Sequence, residues 1–279
     1  MRKLLFTSIL LFVAVFTGFT QENYKRNFWV KYKTQVRHGK YIINYTFLDF
    51  QGNECTFQYQ MDKQTADRDI EKFGIPKSML GSYKVTPETL EYRRRMLEQG
   101  LFKKQGNLLE PDFNAMINYY APYTKPIAEW IIQYLRKNYT DTRLNRIKFA
   151  LAFVQDIPYG VPPDYTKDNK YVNGIAPPPK ILRDGYGDCD SKSVFFAGIM
   201  CYLISPDDII LAKEPNHMFV LVQNDDLNVR ENGAVTYYNY NGRKYIVAEV
   251  AGPGRFEFGQ KMQRQYSSAQ LYPVEFNPR

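Results

Sequence analysis

From Asn27 to Met61 the chain alternates aromatic or β-branched residues with polar ones, in the run NFWVKYKTQVRHGKYIINYTFLDFQGNECTFQYQM. A period of two is the pattern of a strand with one buried face. His38-Gly39 and Gln51-Gly52-Asn53 interrupt it with turn residues, so the run predicts a three-stranded meander. His38 falls in the first turn and reads as a solvated surface group. Beyond Met61 the period lengthens. A helix is predicted from Thr86-Pro87, a cap followed by proline in the first turn, to Gly100. TKPIAEWIIQYLRK then places Ile127, Trp130, Ile131, Tyr134 and Leu135 on one helical face, and DTRLNRIKFALAFVQ aligns Leu144, Ile147, Leu151 and Val154. Both stripes read as core rather than as cofactor-binding faces.

The segment DIPYGVPPDYTKDNKYVNGIAPPPK is dense in proline, tyrosine and asparagine and predicts an irregular surface loop of the kind that walls a site. Next, VFFAGIMCYLI, from Val194 to Ile204, is apolar or glycine at every position, which marks a helix buried on all sides. Strands are predicted over Ile209–Lys213, Met218–Gln223, Thr236–Tyr240, Lys244–Val250 and Gln270–Val274. Helices first and hairpin-connected strands afterwards argue for an α+β fold with an antiparallel sheet.

The first twenty residues, MRKLLFTSILLFVAVFTGFT, change the picture. A basic start, an apolar stretch and small residues at Gly18 and Thr20 predict a secretory signal over 1–20, the apolar stretch being marginal for a stable membrane span. The expected organisation is then a signal over 1–20, the meander over 21–75, and a helical lead-in with the main domain over 76–279. Of 279 residues, 279 − 20 = 259 remain, and loss of Arg2 and Lys3 takes the net charge from +8 to +6. That excess is spread along the chain, which argues against nucleic-acid binding. The 16% aromatic content argues for a packed, sheet-containing fold. The expected location is the periplasm or outside the cell.

An exported chain with an odd number of cysteines, Cys55, Cys189 and Cys201, leaves at least one thiol outside any internal pairing. Cys189 and Cys201 lie about 18 Å apart along one predicted helix, whereas disulfide Cα atoms lie within roughly 7 Å. Only Cys55 could bridge to either one. With His38 and His217 the only histidines, and no paired ligand spacing, neither a metal site nor a cofactor is expected.

RDGYGDCDSKS places Cys189 at the N-terminal end of the buried helix, where free N–H groups and the macrodipole favour a thiolate. Asp188 and Asp190 oppose that if they point at the sulfur. Gly185 and Gly187 are expected to leave room for a substrate. A cysteine nucleophile needs a base, and the base an orienting group. His217 opens an apolar strand, and Glu249 sits among apolar residues of the next long one. A buried carboxylate must be paired, and His217 would pair it. Cys189, His217 and Glu249 thus form a helix-mouth thiol, a strand base and a next-strand acid.

With FALAFVQDIPY, PKILRDGYGDCDSKSVFFAGIM, NHMFVLV and YIVAEVAG in sequence, the chain resembles the exported bacterial branch of the transglutaminase-like superfamily over roughly residues 115 to 255. The resemblance implies a papain-type fold, with a cysteine-bearing helix packed on an antiparallel sheet that carries histidine and an acid. It makes Cys189 the nucleophile, His217 the base and acid, and Glu249 the orienter, where most members carry aspartate. Asp225 and Asp226 are alternative acids, and Gln155 a candidate oxyanion donor. The implied activity is acyl transfer from peptide or glutamine amides, with hydrolysis of a peptide or protein favoured over transamidation. A second reading is a non-catalytic binding or structural protein of the cell envelope, which a Cys55–Cys189 disulfide would favour. A third is that Cys189 and His217 only pack.

Overall fold

A computed structural model of the chain describes residues 25–106, 108–224, 227, 229, 235–262 and 268–278. The expected signal over 1–20 and the alternative acids Asp225 and Asp226 lie outside the described residues.

The meander forms as β1 (Lys31–Arg37), β2 (Lys40–Leu48) and β3 (Glu54–Asp62), all antiparallel. His38 and Gly39, with φ of 48° and 71°, turn the first hairpin with both central residues left-handed, the twist that two-residue hairpins favour. Along β2 and β3 alternate positions point inward: Tyr41, Ile43, Tyr45 and Phe47, then Cys55, Phe57 and Met61. Asp62 ends the sheet and caps the next helix, its Oδ1 accepting from Thr65 N at 2.8 Å.

That helix, α1 (Lys63–Lys72), leads to the short strand β4 (Ile75–Pro76) and then to α2 (Pro87–Gln99). Thr86 and Thr89 cap α2 reciprocally and Gly100 closes it, as the sequence predicts. A hairpin of β5 (Phe102–Gln105) and β6 (Leu108–Pro111) follows, then α3 (Phe113–Tyr119), α4 (Ala121–Asn138) and α5 (Arg143–Gln155). Trp130 of α4 and Phe149 and Phe153 of α5 meet Phe47 and Phe57 of the meander edge-on or tilted, with ring centroids 4.8–6.3 Å apart. The meander therefore buries its apolar face on the helical layer.

The proline-rich segment contains β7 (Lys170–Tyr171), paired with β4, and ends in α6 (Pro178–Asp184). The cysteine helix is α7 (Cys189–Met200), every residue buried except Asp190. It stops at Met200, four residues short of the apolar run, because the last positions turn toward the sheet. The sheet is five-stranded and antiparallel in the order β10 (Tyr237–Tyr240), β11 (Arg243–Ala248), β9 (His217–Gln223), β8 (Ile209–Glu214), β12 (Gln270–Pro273). Both faces of β9 are buried. Met218, Val220 and Val222 join the main core with α7, while Phe219 and Leu221 pack with Ile210, Tyr245 and Val247 on the other side. The fold is α+β with antiparallel sheets. Among the described residues no helix is long and apolar enough to cross a membrane.

Candidate functional site

The helix α7 reaches the sheet with its N-terminal end at the start of β9. Asp188 caps it: Oδ1 accepts from Ser191 N at 3.0 Å and from Ser191 Oγ at 2.5 Å, while Ser191 Oγ accepts from Ala176 N at 2.8 Å. Cys189, the first helical residue, is 7% exposed. Its sulfur meets the backbone N–H of Met218, the neighbour of His217. Its own hydrogen goes to Asp190 Oδ1 at 3.3 Å. Burial first, then Asp190 and Asp188, raise the thiol well above its ordinary range, and the Met218 N–H pulls the other way. At rest, burial and the two carboxylates thus work against the thiolate that the helix end favours. Asp190 does point at the sulfur, which burial leaves with little exposure to solvent.

His217 and Glu249 are brought together as the buried carboxylate required. His217 Nε2 lies 2.8 Å from Glu249 Oε2, with the two residues 2% and 0% exposed. Glu249 Oε1 also accepts from Ala251 N at 3.3 Å, and Oε2 from Met262 N at 3.4 Å. A carboxylate that accepts on both oxygens leaves Nε2–H as the donor, so Nδ1 is the nitrogen left to act as base. Among the described residues no hydrogen bond joins Cys189 Sγ to His217. The link runs through Met218.

Gln155 turns its amide onto backbone carbonyls. Its Nε2 donates to the carbonyls of Glu249 at 2.7 Å and Phe256 at 2.9 Å, so both amide hydrogens are spent on the segment that carries the acid. The proposed oxyanion role falls to this geometry, and Gln155 is a brace. Gly185 and Gly187 also serve packing rather than a substrate. At Gly185, with φ +74°, a Cβ would sit 2.5 Å from the Tyr32 ring, and at Gly187 3.2 Å from Ser191 Cβ. His38 is exposed in its turn. All three cysteines are free. Cys55 donates to Tyr134 Oη at 3.0 Å inside the meander's core.

Two buried charges at the site were not anticipated. Asp156, 1% exposed and directly after α5, accepts from Asn27 Nδ2 at 2.9 Å, Trp29 Nε1 at 2.8 Å and Leu48 N at 3.0 Å, with Arg255 Nε 3.7 Å away. Lys192, one turn after Cys189, is 0% exposed and donates to the carbonyls of Gln155 at 3.1 Å and Ala251 at 3.0 Å. The signal for Lys192 was a single cation at helical spacing from the cysteine, on the way into an apolar run.

Among the described residues no group of three or more His, Cys, Asp or Glu side chains is placed to hold a metal ion. A cleft of about 1250 Å³ opens elsewhere, walled by Tyr32, Phe73, Tyr165, Lys180, Arg183 and Tyr186, and none of Cys189, His217 and Glu249 lines it. No protein-family model, curated protein or solved structure matches the chain.

Proposed function

We propose that this protein is an exported thiol acyl-transfer enzyme with a papain- or transglutaminase-like core, acting on peptide or glutamine amides through Cys189, His217 and Glu249. The observation that carries this reading is the junction of α7 and β9. There a cysteine at a helix N-terminus meets the backbone beside a histidine whose other nitrogen is fixed 2.8 Å from a buried carboxylate. A base held by an acid, next to a nucleophile, is the arrangement acyl transfer needs.

In the cycle, His217 Nδ1 takes the Cys189 proton as the sulfur attacks the amide carbon. The imidazolium then gives that proton to the departing nitrogen, leaving a thioester on Cys189. Water attacks the thioester with His217 as base and restores the thiol. An amine in place of water gives transamidation. The backbone N–H groups of Cys189 and Asp190 precede the first intrahelical bond and suit the oxyanion. Glu249 keeps Nε2 protonated and the ring oriented. Hydrolysis is the favoured outcome, because water is the abundant acceptor outside the cell.

One observation favours a binding or structural protein instead: the resting thiol is nearly shut from solvent and donates to Asp190. Iodoacetamide labelling at mildly acidic pH separates the two. Rapid labelling of Cys189 that His217→Ala removes supports the enzyme; equally slow labelling in both proteins supports the binding protein. Incubation with a peptide library, compared with Cys189→Ala, then identifies the substrate.

A further inference from the structure

A lysine sealed inside an apolar helix is costly, because the protein must replace the water that held its charge. Lys192 receives two carbonyls in return, from Gln155 at 3.1 Å and Ala251 at 3.0 Å. These come from the end of α5 and from the turn two residues beyond Glu249. Gln155 closes the circuit by donating to Glu249 O and Phe256 O. Helix α7, helix α5 and the acid-bearing segment are therefore tied at one ammonium. Gly252 makes room for it: a Cβ there would lie 2.4 Å from Gln155 O and 3.1 Å from Lys192 Nζ.

The charged or chargeable groups facing Lys192 are Asp156, Asp188, Glu249 and the Cys189 sulfur. Three of these have other donors. Asp156 has Asn27, Trp29 and Leu48; Asp188 has Ser191; Glu249 has His217, Ala251 and Met262. The sulfur has only the Met218 N–H, and Asp190 works against its ionisation. Asp156, Asp188 and Glu249 each act on the ammonium more strongly than the sulfur does, but of the four the sulfur has the fewest donors of its own, and the cation lies one helical turn away.

We propose that Lys192 is the positioning residue of the thiol site: its ammonium clamps the Glu249 segment to the cysteine helix and supplies the positive charge against which the Cys189 proton leaves for His217. The proposal rests on the reading of Cys189 as a nucleophile. Burial brings the lysine down to about 7, against the pull of those four groups, so its charge is in play at neutral pH.

The test is the rate of Cys189 alkylation by iodoacetamide from about pH 5 to about pH 9, read by mass spectrometry of the cysteine peptide, in the full chain and in Lys192→Met and His217→Ala. The expected result for Lys192→Met is a rate about tenfold lower at neutral pH and a profile moved upward by about one pH unit, with an unchanged circular-dichroism spectrum. A folded Lys192→Met with the parent profile overturns the proposal. A parent rate that His217→Ala leaves unaltered overturns the nucleophile reading, and this proposal with it. If Lys192→Met does not fold, lysine-selective NMR of the unsubstituted chain decides. Coupling is reciprocal, so carboxymethylating Cys189 with iodoacetate, which leaves an anion at the sulfur, must raise the Lys192 titration midpoint above that of the chain carrying the neutral iodoacetamide cap, and equal midpoints overturn the proposal.

Discussion

The two ends of α7 carry the same residue at the same depth, Cys189 at 7% and Cys201 at 6% exposure. Burial raises both thiols, Cys201 to about 12. There the likeness ends. Cys201 caps the helix at its carbonyl end, where the macrodipole disfavours an anion, and burial is the only cause raising its thiol. Cys189 sits at the amide end, with two carboxylates, a buried ammonium and the His217–Glu249 pair around it. Residue type and burial do not make a site. The direction of the helix and the groups that converge on one end do.

Exchanging each cysteine for serine breaks this comparison most sharply. Turnover of any peptide found by library screening should fall about 10³-fold or more in Cys189→Ser, and stay within about twofold in Cys201→Ser. Steady-state kcat/KM on both variants measures it, and equal losses would dissolve the distinction between the ends. Glu249→Gln comes next. It keeps the shape but can present a donor to Nε2, favouring the wrong tautomer, so kcat should fall roughly 10²–10⁴-fold. A loss below about threefold in steady-state assays would remove Glu249 from the machinery.

The pH dependence of stability sharpens the comparison on the same end. Lys192 falls from 10.5 to about 7 in the folded chain, so the unfolded chain binds more protons between those values. Its contribution therefore rises with pH through that window, by at most a few kcal/mol. Asp188 has the opposite sign: burial raises it from 3.8 to about 6, so its contribution falls as pH rises between them. Urea melts at several pH values should show the upper slope flattened in Lys192→Met and the lower slope kept. The smallest expected effect belongs to Asp190→Asn. Removing the carboxylate 3.3 Å from the sulfur should speed alkylation of Cys189 about three- to tenfold, while alkylation of Cys201 under mild denaturant stays unchanged.

Much of this was written locally in the chain. The meander followed from alternation, α2 from Thr86-Pro87 and Gly100, and the His217–Glu249 pair from a carboxylate stranded among apolar residues. Helix α1 escaped because its sequence, KQTADRDIEK, shows no apolar stripe. It buries Ala66 and Asp69, the latter under the hydroxyls of Tyr119 at 3.2 Å and Tyr123 at 2.7 Å, partners some fifty positions away. The same reason hid Lys192 and misassigned Gln155. Their roles depend on carbonyls at 251, 249 and 256, and no local pattern tells which distant backbone a side chain will find.

Asp156 fixes how the chain can be divided. Its carboxylate, directly beyond the brace Gln155, is held by Asn27, Trp29 and Leu48, all from the first strands or the approach to them. A fragment beginning at α1 would inherit this buried carboxylate stripped of three donors. The meander is therefore no detachable ornament on an autonomous body, and truncation there should yield an insoluble remainder rather than a smaller folded protein.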